Sequence, residues 1–479
     1  MAFETTFKAI DDTLRHDEGC STAMDYVEQS SWVLFLKYFD DLENTREQEA
    51  ELSGKTYERI ISGEYQWNRW AMPLDASGNY DRKAAMVGDD LIDFVNQRLF
   101  PFLQGFTERY EHDTIEYKVG VIYSNIVNKI SSGYNLRDVI ERIDELQFQT
   151  SEHRHEMTQI YEDRLRQMGN AGRNGGEYYT PRPLIRTIVK SVNPQIGETV
   201  YDGACGSAGF LCEAYSYMHA NVTNSADEET LQNATYYGKE LKGLAYIIAM
   251  MNMILHGVQS PNIIRTNTLS ENLTNIQPSE QKDIVLANPP FGGAEREEVQ
   301  QNFPIRSSET AYMFMQHFIK MLKAGGRAGI VIKNTFLSNG DASAIRKMLL
   351  ENCNLHTILD LPSGVFTGAG VKTVVLFFTK GEPTQKIWYY QVDKHFTKTQ
   401  PLTEADLQEF LTLQKTKAES EHSWTIDVST LGEDCDLSVK NPNKVEEVDE
   451  RTPSEIAESI YALNSENQTL IDEIMEMGK

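Results

Sequence analysis

The stretch Asp283-Ile284-Val285-Leu286-Ala287-Asn288-Pro289-Pro290-Phe291 narrows the chemistry of this 479-residue chain more than any other. An apolar run of strand length feeds directly into Asn-Pro-Pro-aromatic. An amino group conjugated into a ring, as on adenine, is a poor nucleophile because its lone pair is delocalised. It becomes reactive when its hydrogens are held out of plane, and that takes two fixed acceptors. The Asn288 side-chain carbonyl and the Pro289 backbone carbonyl can each take one N–H, and Pro289 and Pro290 stiffen the geometry. Phe291 offers a face for a base rotated out of a duplex. An ordinary turn is the plain alternative, and it leaves the union of strand, amide, prolines and ring unexplained.

A second pattern is Val200-Tyr201-Asp202-Gly203-Ala204-Cys205-Gly206-Ser207-Ala208-Gly209-Phe210, a strand opening through small residues into a helix. Small residues let a cofactor lie close to the backbone, and such turns also cradle dinucleotide pyrophosphates. Here Asp202 precedes the glycines, and a carboxylate suits the cationic amino-acid end of S-adenosylmethionine better than a phosphate. Tyr237-Gly238-Lys239-Glu240 places an acid at the tip of the next strand, where it can accept from both ribose hydroxyls. The spacing from Asp202 to Glu240 is 38 residues, and the polar segment Asn221 to Asn233 accounts for the extra length as a surface insertion. A solvated strand-end glutamate is the competing reading.

These residues need a parallel sheet to hold them. Short apolar runs at Thr199 to Tyr201, Thr235 to Gly238, Asn262 to Ile264, Asp283 to Ala287, Ala328 to Ile332, Thr357 to Leu359 and Val374 to Phe378 predict strands. Helical spacing at Leu244 to Leu255, Ala311 to Leu322 and Ala342 to Leu350 predicts helices between them, the signature of a mostly parallel α/β sheet covered on both faces. The preceding chain reads as helical, with stripes at Leu136, Val139, Ile140, Ile143, Leu146 and at Met157, Ile160, Tyr161, Leu165, Met168. A glycine-rich loop, Gly169 to Gly176, marks a hinge. Beyond about residue 400 the chain turns acidic and ends in a predicted helix from Pro453, whose stripe reads as packing or as a docking face. The expected organisation is a helical domain over 1–168, a catalytic α/β domain over 169–400, and an acidic region over 401–479 ending in a subunit-contact helix.

Net charge is −26, awkward for an enzyme that grips DNA through lysine and arginine. Residues 401–479 hold 19 acids against 6 bases, half of that excess. Arg154, Arg164, Arg166, Arg173, Arg182, Arg186 and Lys190 concentrate positive charge, on either a solvated or a phosphate-facing surface. The balance predicts a partner that carries much of the DNA grip. Five scattered cysteines without a C-x-x-C pair argue against a disulfide framework or structural zinc, and His153 and His155 fall on different helix faces. No apolar stretch reaches membrane-span length and the start lacks a signal pattern, so a cytoplasmic, metal-free protein is expected. No G-x-x-x-x-G-K-[ST] motif is present.

With these motifs in place, the chain resembles the modification subunit of type I restriction-modification systems, an N6-adenine DNA methyltransferase. The resemblance covers the whole chain, and its most specific stretch is Gly176-Glu177-Tyr178-Tyr179-Thr180-Pro181-Arg182-Pro183-Leu184. It implies a Rossmann-like S-adenosylmethionine-dependent methyltransferase domain, preceded by a helical domain and followed by a helical tail. It further implies that Glu177, Tyr178, Tyr179, Thr180, Pro181 and Arg182 line the cofactor together with Asp202, Ala204, Gly206, Ser207, Ala208 and Gly209. Glu240 would hold the ribose, and Asn288, Pro289, Pro290 and Phe291 would be catalytic.

Leu361-Pro362-Ser363-Gly364-Val365-Phe366 also fits, with Phe366 either walling the base pocket or packing in the core. The family implies methylation of double-stranded DNA at a specific sequence, with the target adenine flipped out, protecting host DNA from cleavage. Its partners are a specificity subunit, a second modification subunit and restriction subunits. Where the family commonly has Asp-Pro, this chain has Asp202-Gly203, which predicts a looser turn and weaker cofactor binding. Two other readings stay open. Protein glutamine methyltransferases also use Asn-Pro-Pro-aromatic, though with a final tyrosine and without these flanks. A scaffold that retained the fold is the other, and intact Asn288, Phe291 and Glu240 speak against it.

Overall fold

The computed structural model describes residues 2–146, 180–366, 370–397, 399–444 and 452–477. The chain divides into one unit from Met1 to Lys440 and a second from Asn441 to Lys479. The second consists chiefly of the helix Pro453–Met477.

The first unit begins with helices, among them Ala2–Arg15, Ala23–Leu52, Ile115–Ser124 and Gly133–Asp144. Thr22 and Asp25 cap the longest reciprocally, which fixes its first turn. Its apolar face buries Trp32, Phe35 and Phe39, and the expected stripe Leu136, Val139, Ile140, Ile143, Leu146 is buried too. The stripe at Met157 to Met168 and the pair His153 and His155 lie outside the described residues. Asp17 ties the ends of this block together, accepting from the backbone N–H of Gly19, Ser131 and Ser132 at 2.9 to 3.0 Å and from Asn135 Nδ2 at 2.9 Å. Burial alone would raise its pKa, and these donors outweigh burial and hold the carboxyl below its usual value.

The sheet follows, with β1 Val200–Asp202, β2 Tyr236–Glu240, β3 Asn262–Arg265, β4 Lys282–Ala287, β5 Leu322–Lys333, β6 Cys353–Leu361, β7 Thr373–Lys380, β8 Lys386–Gln391 and β9 Ser423–Asp427. Among the described residues these form one nine-stranded sheet in the order β3-β2-β1-β4-β5-β7-β6-β8-β9. The pairs from β3 through β5 are parallel, while β7 runs antiparallel between β5 and β6. Alternation along each strand splits the core. Ile284 and Leu286 face the helices Arg182–Val192, Gly209–His219 and Gly243–Leu255, whereas Val285 and Ala287 face Thr310–Met321 and Ser343–Asn352. This is a mostly parallel α/β architecture, with helices on both faces as the strand and helix spacing required.

Two strands were not anticipated. β8 buries Ile387 through Tyr390, and β9 pairs with it from Lys386↔Asp427 to Tyr390↔Ser423, so the sheet continues past residue 400 into the acidic stretch. The expected division at 400 thus differs from the one at Lys440, because the last sheet edge is built from a segment that is polar in sequence.

Candidate active site

β1 ends at Asp202, β2 at Glu240, and β4 ends immediately before Asn288. These strands are parallel neighbours, so the three polar side chains stand at one edge of the sheet. The loop between β1 and its helix is fastened from several sides. Arg182 Nη1 donates to the Gly209 carbonyl at 2.8 Å, Asn252 Nδ2 to the Ser207 carbonyl at 2.8 Å, and Thr268 Oγ1 to the Gly203 carbonyl at 2.6 Å. Glu240 accepts the Gly206 N–H at 2.9 Å with one oxygen and the Lys242 N–H at 2.8 Å with the other. Both carboxylate oxygens are thereby oriented by backbone donors beside the cleft. Buried Ala208 holds φ +61° at the start of the helix Gly209–His219, a conformation costing roughly 1–2 kcal/mol in a non-glycine residue.

Two adjoining cavities open at this edge. The larger, about 250 Å³, is lined by Glu240, Lys242, Asn267, Thr268, Leu269, Pro290 and Phe314. The smaller is lined by Thr180, Arg182, Asp202, Gly206, Ser207 and Gly209, and both include Ala204 and Asn288. Of the remaining expected residues, Pro181 starts the helix Arg182–Val192 and Ala208 and Pro289 are buried. Partly buried Phe291 meets buried Phe366 edge-on with ring centroids 5.1 Å apart. Glu177, Tyr178 and Tyr179 lie outside the described residues. Asn267, Thr268, Leu269 and Phe314 were missed. The signal for the first three was their position just after β3, whose end reaches the same edge as Glu240.

Asn288 carries the sharpest geometry. Its Nδ2 donates to Thr180 Oγ1 at 2.9 Å, while its Oδ1 is buried and has no hydrogen-bond partner among the described residues. A buried acceptor left unpaired costs about 1–3 kcal/mol. With the nitrogen engaged by Thr180, the amide presents its oxygen as the open end.

Asp202 is buried, and burial pushes its carboxyl up to about 8, with the charge of Glu240 adding and the Ala204 N–H at 3.0 Å opposing. A folded pKa above the unfolded value near 4 makes the folded state lose stability as pH rises from about 4 through about 8. Asp202→Asn should flatten that loss. Unfolding midpoints measured from pH 5 to pH 9 should converge on acid-side behaviour, and a variant as pH-sensitive as the parent would refute the assignment.

Gly203 has a different role from the looser turn expected of it. A Cβ there would lie 2.8 Å from the Tyr201 hydroxyl and 3.0 Å from the Phe318 ring. The Tyr201 hydroxyl is itself held by His317 Nε2 at 2.9 Å. The space a proline Cβ needs is filled by buried Tyr201 and Phe318. Gly203→Pro is expected to destabilise the fold by about 1–3 kcal/mol through overpacking, read as a lowered denaturant midpoint. A raised midpoint would restore the looser-turn account.

The basic residues near the site are neutralised rather than phosphate-facing. Arg186 pairs with Glu213 at 3.1 Å and Glu404 at 2.9 Å, Lys190 with Glu404 at 3.3 Å, and Arg182 approaches Glu213 at 3.7 Å. Arg154, Arg164, Arg166 and Arg173 lie outside the described residues. Among the described residues no cluster of three or more potential metal ligands occurs, and no helix is long and apolar enough to cross a membrane.

Comparison with known proteins agrees with this geometry. The family model N-6 DNA Methylase matches residues 152–451, and the HsdM N-terminal domain matches residues 4–167. The methylase subunit of the type I restriction enzyme EcoEI from Escherichia coli is 36% identical over 467 residues, covering 94% of this chain and 92% of that one. A crystal structure of a modification subunit assigned to a type I restriction enzyme of Vibrio vulnificus YJ016 aligns with TM-score 0.84 and 34% identity over 93% of this chain and 97% of that one. A chain solved in work on complex assembly and conformational transition of the type I R-M system aligns with TM-score 0.77 and 35% identity, covering 99% and 97%. The strand-end acids, the Asn-Pro-Pro-Phe turn and these likenesses agree: the chain belongs to the methylase, or modification, subunits of type I restriction-modification systems, within the N-6 DNA methylase family.

Proposed function

We propose that the chain transfers a methyl group from S-adenosylmethionine to the N6 amino group of an adenine flipped out of double-stranded DNA at a specific sequence, protecting host DNA from cleavage. The observation that carries this reading is the buried Oδ1 of Asn288, unpartnered among the described residues, an acceptor waiting for an N–H. Asp202, buried with no basic side chain bonded to it among the described residues, fits the cationic amino-acid end of the cofactor, and Glu240 fits the ribose hydroxyls. Thr180, Arg182 and the loop from Ala204 to Gly209 would complete that binding surface, with Glu177 to Tyr179 preceding it. Bound there, the cofactor supplies an electrophilic methyl group.

Asn288 then accepts one amino hydrogen and the Pro289 carbonyl the other, which frees the nitrogen lone pair. Phe291 stacks on the base, and Phe366 braces Phe291 from the side. A specificity subunit reads the DNA sequence and supplies basic charge, a second copy of this chain completes the modification enzyme, and restriction subunits add cleavage, in the cytoplasm. The catalytic domain spans 169–400, preceded by the helical domain over 1–168, and the acidic region over 401–479 ends in a helix that serves subunit contact.

Thr180 is a positioning residue. Thr180→Val should lower kcat about tenfold with the DNA KM unchanged, and Thr180→Ser should restore it, because only the hydroxyl orients the Asn288 amide. Equal losses in both variants would make the role one of shape. The whole reading is tested by a base-resolved map of N6-methyladenine in a host carrying the complete system, wild type against Asn288→Ala. Loss of methylation at one bipartite motif is expected, and an unchanged map with the variant expressed would overturn it.

A further inference from the structure

Tyr201 and His317 are buried side by side beneath the turn that follows β1, with the Tyr201 hydroxyl 2.9 Å from His317 Nε2. Alternation along β1 turns Tyr201 toward the face covered by the helix Thr310–Met321, which carries His317. Thr310 and Phe314 of that helix line the larger cavity, and His317 stands about one turn further on.

Packing alone does not call for a polar pair here. A buried tyrosine hydroxyl needs a partner, and the histidine that supplies one leaves its own Nδ1 buried and without a partner among the described residues. Replacing both members of a buried hydrogen bond by apolar groups of similar shape is close to neutral, whereas this pair leaves a desolvated ring nitrogen unpaired. Burial, with the charge of Lys239 adding, pulls His317 down to about 3, so the ring is neutral.

What the pair fixes is the place of one oxygen. A Cβ added at Gly203 would lie 2.8 Å from the Tyr201 hydroxyl, so that oxygen rests against the Gly203 backbone. The Gly203 carbonyl is held separately by Thr268 Oγ1 at 2.6 Å. Gly203 joins Asp202, which lines the smaller cavity, to Ala204, which lines both. A glycine is the residue of such a turn with the most backbone freedom to lose, and so the one that gains most from an outside restraint.

We infer that His317 is a positioning residue: by fixing the Tyr201 hydroxyl against Gly203 it holds the turn 202–204 in the form that receives the cofactor. The inference rests on the reading of this site as one for S-adenosylmethionine. Tyr201→Phe and His317→Leu each strand one polar group and should lower the melting temperature. The double variant strands none and should melt near the wild type, yet it too lacks the hydroxyl.

The test joins two measurements on the full-length protein, amide hydrogen exchange over residues 202–206 without cofactor and calorimetric titration with S-adenosylmethionine. In the double variant, exchange over that segment should be faster and Kd about tenfold higher, about 1.4 kcal/mol. The kcat of the complete modification complex at saturating cofactor should stay within about twofold of wild type, since the restraint acts on binding. His317→Gln, whose amide can stand where Nε2 does, should keep Kd near the wild-type value. Exchange and Kd like the wild type in the double variant overturn the inference. So does a Kd that rises in the single variants and returns in the double one, which would make the pair a matter of packing. A wild type that takes up no S-adenosylmethionine, with exchange still faster in the double variant, leaves the restraint on the turn in place and removes the reading of the cofactor instead.

Discussion

Asn288→Ala is expected to lower the single-turnover rate of methyl transfer by about 10²–10³-fold while cofactor affinity changes little. Such a factor corresponds to about 2.7–4 kcal/mol of transition-state stabilisation, the magnitude associated with removing one preorganised polar group at a reacting centre. The reason lies in the state of the oxygen before substrate arrives. Oδ1 is already desolvated and has no partner among the described residues, and Thr180 already fixes the amide, so accepting an amino hydrogen needs no rearrangement. An alanine removes an interaction that strengthens as the nitrogen becomes tetrahedral, so kcat should fall more than KM rises. A rate within threefold of wild type would place the essential acceptor elsewhere.

Arg346→Met is expected to destabilise the first unit by about 3–5 kcal/mol. The Arg346 side chain is fully buried and donates to four backbone carbonyls, Cys435 at 2.7 Å, Asp434 at 2.7 Å, Asn339 at 2.7 Å and Phe336 at 2.9 Å. It thereby fastens the chain beyond β9 to the turns beyond β5. Methionine fills much of the volume and satisfies none of those acceptors, so the loss measures unpaired carbonyls rather than a cavity. Denaturant unfolding should show a lower midpoint. A midpoint shifted by less than about 1 kcal/mol would mean that water replaces the guanidinium, and Arg346 would be a spectator.

The sheet edge that carries the candidate site was legible because its residue types follow from the chemistry proposed for it. Asn288, Glu240 and Asp202 each end an apolar run, and parallel strands bring their ends together whatever the helices between them contain. The larger cavity was harder to see. Asn267 and Thr268 are ordinary turn residues, and their place in its lining comes from the neighbouring position of β3 rather than from composition. β9 was hidden for another reason. Only Ser423 and Trp424 of that strand are buried, since its outer edge faces no further strand, and the surrounding acids mask so short a signal. The order β5-β7-β6 was also not readable, because strand propensity locates strands without ordering them. Gly203 shows the converse. A departure from a familiar pattern was read as lost rigidity, although Tyr201 and Phe318 had filled the space.

The register of the sheet also governs the sequence of events during synthesis. Helices of the amino-terminal block can close as soon as Asp144 has left the ribosome, since Asp17 already finds its donors at Ser131 to Asn135. β1 must then wait for Tyr236 and, on its other side, for Ile284. β6 has no neighbour to join until β7 has been made, because β7 is the strand that links it to β5. Loop closures of this span are slow, and they leave apolar strands uncovered while later segments emerge. A ribosome paused between residues 361 and 373 would hold an incomplete sheet with the open side of β5 exposed, so this interval is where the nascent chain most needs protection from aggregation.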